Sequence, residues 1–247
     1  MNCTIKIGDI TLIHGDARTA AASLGRDFAH MGMTDAPYHL TSGGKDRGHL
    51  SGKFHGEYAN DGKIVRCDIS WPEIMDILGG AIMPGRDVIS MTDDKNLSKA
   101  EAAALEAGLR YHGLLTWHKK QGTPSRWYMK TAEHAQYFYR PKPGSQPRTI
   151  NNPGDGRVVA VRPVSETKHP TEKPVMLMRH WIENSTDPGE LVFDPFMGVG
   201  STALAALQSG RSFIGVEIEE RWFEIAVDRV RRAYDGGQVE LLGGTYG

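Results

Sequence analysis

Apolar and polar residues alternate at the start of the chain, a pattern typical of half-buried strands. In "CTIKIGDITLIH" the alternation lies on both sides of Gly8-Asp9 and predicts a hairpin or two short strands, and "TAAASLG" predicts a short helix. The apolar run in "FAHMGMTDAPY" predicts a buried strand that ends in a turn at Asp35. Residues 39–66 have no sustained period, so we expect a long flexible loop there.

Helical and strand patterns alternate in the middle of the chain. "ISWPEIMDILGGAIM" has apolar residues at near-helical spacing, and the strand pattern "GRDVISMTDD" follows it. A second helix is predicted in "LSKAEAAALEAGLRY", with Ser98 as the N-cap and Glu101 completing a capping box. Two strands, "YHGLLTWHK" and "EHAQYFYRP", should come next. Residues 141–168 carry five prolines and three glycines, which predicts an irregular connection with one short strand at "RVVAV".

The last third of the chain alternates helix and strand without long interruptions. A helix should begin near Pro174, followed by the strand "LVFDPF", a helix that ends at Gly210, the strand "SFIGVEI" and an amphipathic helix that ends near Tyr234. Such alternation favours an α/β fold with a doubly wound, mostly parallel sheet and helices on both faces.

Composition narrows the class of protein. A chain of 247 residues with 39% hydrophobic residues can form one α/β domain. No stretch approaches 18 uninterrupted apolar residues and the N-terminus lacks a signal-peptide pattern, so we expect a cytoplasmic protein without membrane contact. The two cysteines, Cys3 and Cys67, show no metal-ligand spacing, and we therefore expect neither a disulfide framework nor a metal site.

Charge is distributed unevenly although the formal net charge is only −1. Between residues 117 and 148, seven basic side chains face one acidic side chain, Glu133, which gives a local balance of +6, and aromatic residues lie among them. Phosphate contacts and base stacking need such a segment, so we predict that it binds nucleic acid. The predicted DNA-binding residues are Lys119, Lys120, Arg126, Trp127 and Lys130. The alternative is a solvated face with aromatic residues in the core.

A glycine-rich loop joins a predicted strand to a helix. Gly198-Val199-Gly200 follows the strand, and Glu217 ends the next strand, 19 residues after Gly198. This spacing fits a dinucleotide or an S-adenosylmethionine, because glycines let a ligand approach the backbone and the acid accepts hydrogen bonds from ribose. Asp194, just before the glycines, would repel a pyrophosphate but attract the ammonium group of S-adenosylmethionine. An NAD-linked oxidoreductase and a loop that only allows tight packing are the alternatives.

Three motifs together resemble one family. "DPFMGVGST" resembles the methyl-donor loop of the amino-methylating DNA methyltransferases, "HPTEKP" resembles the segment that precedes that loop, and "DAPY" resembles the catalytic D/S-PP-Y/F/W motif. Their order is that of the beta class of N6-adenine and N4-cytosine enzymes. The resemblance runs from residue 15 to about 234 and is weakest across 39–70 and 141–168. It implies a Rossmann-like methyltransferase fold, S-adenosylmethionine as cofactor and double-stranded DNA as substrate, in the setting of restriction and modification.

The resemblance also implies roles in catalysis. Asp35 and the carbonyl of Ala36 would accept the amino hydrogens of a flipped-out base, Pro37 would stiffen the loop and Tyr38 would stack on the base. Alanine stands at 36 where the family usually has proline. We expect activity to persist because the accepting group is main chain; the alternative is a catalytically weakened protein that binds DNA and S-adenosylmethionine.

Cofactor contacts follow from the same resemblance. Around the methionine part we expect Asp194, Phe196, Gly198, Gly200 and Thr202, and we also expect Pro195 and Ser201 to bind the cofactor. Glu217 would bind the ribose, and Asp16 and Ala17 would lie beside the adenine. His169, Thr171 and Lys173 of "HPTEKP" complete the set, with a structural role equally open for His169.

Family habit, in which Asp often accompanies adenine, favours adenine N6 as the target, with cytosine N4 as the alternative. We expect a single methyltransferase domain over 1–247, with a catalytic half (1–118), a target-recognition segment (about 119–166) and a cofactor-binding half (167–234). The sequence gives no indication of the target site and leaves open whether the chain forms a homodimer.

Overall fold

The computed structural model describes residues 3–37, 68–123, 128–164, 166–167, 169 and 171–236. In this part of the chain nine strands form one sheet, in the order β1-β2-β9-β8-β3-β4-β6-β5-β7. The strands are β1 (Cys3–Ile7), β2 (Ile10–His14), β3 (Ala29–Asp35), β4 (Ile82–Thr92), β5 (Arg110–Thr123), β6 (Lys130–Tyr139), β7 (Val158–Ala160), β8 (Leu191–Asp194) and β9 (Ser212–Glu217).

The centre of the sheet is parallel. Strands β2, β9, β8, β3 and β4 run in one direction. β1 closes one side antiparallel to β2, while β6 and β5 form an antiparallel hairpin beside β4, with β7 parallel to β5 at the far edge. The predicted mostly parallel α/β fold is thereby confirmed.

Helices cover both faces of the sheet, and each face has its own buried cluster. One face packs against α1 (Ala17–Leu24), α2 (Trp71–Ala81) and α3 (Leu97–Glu106). The other packs against α4 (Val175–Ser185), α5 (Ser201–Gln208) and α6 (Glu220–Asp235). Successive residues of β3 point to opposite faces of the sheet. Met31 and Met33 lie in the buried cluster beside α4, α5 and α6, whereas Gly32 faces Leu78 of α2.

One capping prediction is wrong. α3 begins at Leu97 with Asn96 as N-cap, so Ser98 lies inside the helix and forms no capping box with Glu101. The turn before α3 is instead held by Asp93, whose Oδ1 accepts hydrogen bonds from the backbone N and the side-chain Nδ2 of Asn96. A capping box does occur at α2, between Ser70 and Glu73.

The predicted flexible loop, residues 39–66, lies outside the described residues. Within the described ranges, no helix is both long and apolar enough to cross a membrane.

The chain changes direction within the sheet between β3 and β8. From β8 the chain passes through α5 to β9 on one side, whereas from β3 it passes through α2 to β4 on the other. In open α/β sheets, ligands bind at the carboxyl ends of the strands at such a switch point. Asp35 and Asp194 are the last residues of these two strands, so the fold puts both acids at the expected ligand-binding edge.

Candidate active site

A direct hydrogen bond joins the two acid-bearing strand ends. Thr34 Oγ1 donates to Asp194 Oδ1 at 2.8 Å, although the residues are 160 positions apart in sequence. The bond is buried, which makes it stronger than the same bond in water. The "DAPY" and "DPFMGVGST" motifs therefore lie side by side at one site.

Asp194 organises the loop that follows β8. Its carboxylate also accepts hydrogen bonds from Thr202 Oγ1 at 2.7 Å and from the backbone N of Phe196 at 3.0 Å. The residue is only 1% exposed, and burial raises its pKa to about 6. A cationic ligand group in the adjoining cavity would favour the ionised form of this acid.

Glu217 closes the other side of the loop. Its Oε2 accepts from the backbone N of Gly198 at 3.0 Å, and its Oε1 accepts from the backbone N of Glu219 at 2.8 Å. Burial raises the pKa of Glu217 to about 7. Each carboxylate oxygen retains acceptor capacity, so ribose hydroxyls fit this position.

The two loop glycines have different roles. Both have positive φ, +53° at Gly198 and +79° at Gly200. Gly198 lines the cavity, whereas Gly200 is not among the cavity-lining residues. A Cβ on Gly200 would lie 3.0 Å from the Cβ of Ala226, so this glycine lets α5 and α6 pack closely.

One cavity gathers the described catalytic and cofactor-binding candidates other than Gly200. Its walls include these predicted residues: Asp16, Ala17, Asp35, Ala36, Pro37, His169, Thr171, Lys173, Asp194, Pro195, Phe196, Gly198, Ser201, Thr202 and Glu217. Sequence reasoning missed other lining residues, among them Arg18, Ile69 and Trp222. Tyr38 lies outside the described residues.

Ser201 offers an uncommitted polar group to the cavity. Its Oγ is buried and has no hydrogen-bond partner among the described residues. It lies in the first turn of α5, where backbone N–H groups also favour an anionic ligand group. The donor set fits the carboxylate of an amino-acid ligand such as the methionine part of S-adenosylmethionine.

Asp16 lies at the cavity through its position as a helix cap. Its Oδ1 accepts from the backbone N of Arg18 at 2.8 Å, and its Oδ2 forms an ion pair with Arg18 at 3.0 Å. These bonds fix the start of α1 and hold Ala17 against the cavity.

His169 combines a structural contact with a lining position. Its Nδ1 accepts from the backbone N of Thr171 at 3.3 Å, and its ring packs edge-on against Trp222 with centroids 4.6 Å apart. Burial, together with the charge of Lys173, lowers the pKa of His169 to about 4. The imidazole is therefore neutral at neutral pH.

Lys173 joins the "HPTEKP" segment to the catalytic motif. Its Nζ lies 2.5 Å from Asp35 Oδ2, donates to the carbonyl of Thr171 at 3.1 Å and lies 3.6 Å from Glu133 Oε2. Burial alone would lower the pKa of Lys173, but Asp35 and Glu133 outweigh it and raise the pKa above its usual value. Glu133 was missed as a site residue; the available signal was its status as the one acid in the basic segment.

Some basic side chains of the 117–148 segment form ion pairs within the protein. Lys119 pairs with Glu133 and lies over the ring of Trp117, so it is committed within the protein rather than free for phosphates. Lys130 lies 3.3 Å from Asp94, while Lys120 is exposed. Arg126 and Trp127 lie outside the described residues.

Aromatic residues of this segment mostly belong to the core. Trp117 and Tyr137 are buried in the cluster that packs against α4, α5 and α6, and Phe138 is buried in the cluster on the opposite face of the sheet, so these three rings are not available to stack on bases. Tyr128 is exposed and remains available for contact.

Comparisons with known proteins point to one family. A sequence model of the N6/N4 methyltransferase family, described as DNA methylase, matches residues 29–228. The type II methyltransferase M2.DpnII of Streptococcus pneumoniae is 23% identical over 249 residues, which cover 89% of this chain and 88% of the relative. A match to the putative methylase YubD of Escherichia coli (strain K12) is 49% identical over 72 residues but covers 28% of this chain and 32% of YubD.

The fold also matches that of solved structures. The M1.HpyAVI–SAM complex superposes with a TM-score of 0.66 at 23% identity, covering 89% of this chain and 99% of that one. At this identity the likeness establishes the fold, and the family match, which spans more than half of the chain, establishes the membership. The chain belongs to the N6/N4 DNA methylase family.

Proposed function

We propose that this protein transfers a methyl group from S-adenosylmethionine to the exocyclic amine of a base flipped out of double-stranded DNA, with adenine N6 as the target. The observation that carries the proposal is the junction of β3 and β8, where Thr34 binds Asp194 and Asp35 lines the same cavity as the glycine loop. M1.HpyAVI, whose fold this chain shares, is itself solved in complex with S-adenosylmethionine.

Residues of the cavity fit this cofactor. Asp194 favours an ammonium group, Ser201 and the start of α5 favour a carboxylate, and Glu217 accepts hydrogen bonds from ribose hydroxyls. When bound, S-adenosylmethionine supplies an electrophilic methyl group on a sulfonium. An acid directly before the glycine loop disfavours a pyrophosphate, which argues against the NAD-linked alternative.

Asp35 and the backbone carbonyl of Ala36 would orient the target amine. The lone pair of an aromatic amine is delocalised into the ring, and acceptors for both N–H groups favour a pyramidal nitrogen with the lone pair directed at the methyl carbon. General-base help of this kind contributes about 10²- to 10⁴-fold. The base must leave the duplex to reach Asp35, because its amine is otherwise paired.

Alanine at position 36 is compatible with an active enzyme. Ala36 is buried and directly precedes Pro37, and a residue before proline is restricted to extended backbone. Pro37 therefore supplies part of the rigidity that a second proline would add. Ala36 is therefore more consistent with an active enzyme than with a weakened binding protein.

Analysis of methylated nucleosides tests the proposal. DNA from cells that lack other methyltransferases and express this chain is digested and separated chromatographically. We expect N6-methyldeoxyadenosine. N4-methyldeoxycytidine would redirect the assignment to cytosine, the alternative within the same family, and the absence of both, with the protein folded and expressed, would overturn the proposal.

A further inference from the structure

Four side chains of alternating charge extend from the candidate catalytic acid into the β5–β6 hairpin. Asp35 on β3 contacts Lys173, Lys173 lies 3.6 Å from Glu133 on β6, and Glu133 pairs with Lys119 on β5. Three of the four side chains are less than 25% exposed: 23% for Asp35, 8% for Lys173 and 16% for Lys119. At such burial, charges interact more strongly than exposed surface pairs do.

We propose that Lys173 and Glu133 are positioning residues that orient Asp35 and set its charge for the methyl-transfer reaction, with Lys119 holding Glu133 in place. This inference rests on the proposed function and assigns that function two further residues. Lys173 holds Oδ2 of Asp35, which directs the second oxygen, Oδ1, to the target amine. Lys173 is itself fixed from a second side by the carbonyl of Thr171.

The reaction requires a proton acceptor at this place. As the bond between nitrogen and the methyl carbon forms, the bond between that carbon and sulfur breaks and its electron pair stays on sulfur. The nitrogen becomes cationic, and one of its protons passes to Asp35 Oδ1 and from there to solvent. A protonated Asp35 cannot take this proton and binds the amine N–H less strongly before the attack, so protonation of Asp35 should lower the rate.

Opposing effects set that charge state. Burial raises the pKa of Asp35, Lys173 lowers it, Glu133 raises it and Lys119 lowers it. Asp194 on β8 also interacts with Asp35, while the nearby His169 is neutral at neutral pH. Lys173 remains charged because Asp35 and Glu133 both stabilise its ammonium group.

Two substitutions in neighbouring residues should therefore act in opposite directions. Lys173→Met removes the positive charge and should raise the pKa of Asp35 by about 1 to 3 units, since an adjacent opposite charge has an effect of that size. Glu133→Gln removes a negative charge at a greater distance and should lower the pKa of Asp35 by a smaller amount. A purely structural role would lower activity in both variants without producing shifts of opposite sign.

The experiment measures Asp35 directly. Protein labelled with ¹³C at aspartate carboxyls is titrated by NMR, with the Asp35 signal assigned from its loss in Asp35→Asn. The acid limb of the rate of labelled-methyl transfer against pH, at saturating S-adenosylmethionine, is measured in parallel. Glu106→Gln, at the exposed end of α3, is the matched control for loss of one acidic charge and should shift neither readout.

We expect the Asp35 titration and the acid limb to move to higher pH in Lys173→Met and to lower pH in Glu133→Gln. Shifts of the same sign, or no shift, in these two variants would overturn the inference. Should Lys173→Met fail to fold, Lys119→Met removes a more distant positive charge and should give a smaller upward shift.

The two proposals fail separately. Wild-type protein that transfers no methyl group while Asp35 titrates as expected would contradict the proposed function and leave the charge arrangement standing. Wild-type protein that methylates DNA without the opposed shifts would contradict only the roles of Lys173 and Glu133.

Discussion

At the scale of single residues, the site holds two acids whose pKa values lie above their usual range. Burial raises the pKa of Asp194 to about 6 and that of Glu217 to about 7. The folded protein therefore retains protons that the unfolded chain releases at the same pH. Such acids lower the stability of the protein without its ligand, a cost often found at binding sites.

Glu217→Gln should reduce the pH dependence of stability. In the wild-type protein, Glu217 has a pKa of 4.5 in the unfolded chain and about 7 in the folded protein, so it lowers the free energy of unfolding as the pH rises through this range. A pKa shift of this size corresponds to a loss of up to about 3 kcal/mol in the free energy of unfolding. Urea unfolding at pH 5 and pH 8 should show wild type losing more stability than Glu217→Gln between these pH values, and an equal loss in both proteins would contradict the assignment.

Individual site residues differed in how far sequence could identify them. Asp35, Asp194 and Glu217 were predictable because each ends a strand next to a motif. Glu133 was not, because its partners depend on strand register: Trp117 pairs with Glu133, and the register then shifts between His118 and Thr123. That irregularity in β5, where Lys120 has a positive φ, cannot be inferred from an apolar–polar pattern.

At the scale of elements, the start of α5 is determined by the loop before it rather than by a capping side chain. Gly200 is the N-cap of α5 and makes no side-chain capping bond. Its left-handed backbone turns the chain from the cofactor loop into the helix, and the lack of a Cβ lets α6 approach. The position of the loop therefore depends on packing between α5 and α6.

Gly200→Ala should destabilise the protein more than Gly210→Ala. Both glycines have positive φ, +79° and +68°, so both substitutions strain the backbone, by roughly 1 to 2 kcal/mol. Only at Gly200 would the new Cβ also meet a neighbour, at 3.0 Å from Ala226, whereas nothing lies within 4 Å at Gly210. Thermal unfolding should place Tm of Gly200→Ala below that of Gly210→Ala, and equal values would refute the packing role.

Most elements were predictable from periodicity, and their ends were less so. The hairpin of β1 and β2, the strand at β3 and the helix at α2 lie where the pattern put them. The predicted N-cap of α3 was wrong. Ser98 and Glu101 have the spacing of a capping box, but the helix begins after Asn96, and Asp93 holds the turn that precedes it. Local spacing cannot show which of two nearby polar residues the folded chain will use.

At the scale of the whole molecule, sheet order explains why motifs far apart in sequence form one site. β3 and β8 are neighbours although the chain between them includes α2, β4, α3, the β5–β6 hairpin, β7 and α4. The carboxyl ends of both strands then supply the catalytic acid and the cofactor loop. The alternation of elements was predictable from the sequence, but the meeting of the two motifs at one site was expected only from the family resemblance, because pairing between distant strands leaves no local pattern.

We predict that Lys120, a basic residue of the 117–148 segment, contacts DNA phosphate. It is exposed at the end of the hairpin that carries Glu133. Lys120→Ala should weaken binding to duplex DNA and reduce the slope of log K against log salt by about 0.9, the value for one phosphate contact. Lys6→Ala, exposed on β1 at the opposite edge of the sheet, should leave the slope unchanged. Equal slopes for wild type, Lys120→Ala and Lys6→Ala would contradict the predicted phosphate contact of Lys120 on this hairpin.

The central claim, that Asp35 and the glycine-loop cavity form one methyl-transfer site, is tested most directly by labelled-methyl transfer to duplex DNA. Wild type and Asp35→Asn are compared at S-adenosylmethionine concentrations that saturate both, with cofactor binding measured by calorimetry. We predict incorporation by wild type, a loss of at least about 10²-fold in Asp35→Asn because the proton acceptor is gone, and nearly unchanged cofactor affinity. Transfer by Asp35→Asn at the wild-type rate, or a loss of cofactor binding as large as the loss of transfer, would contradict the claim.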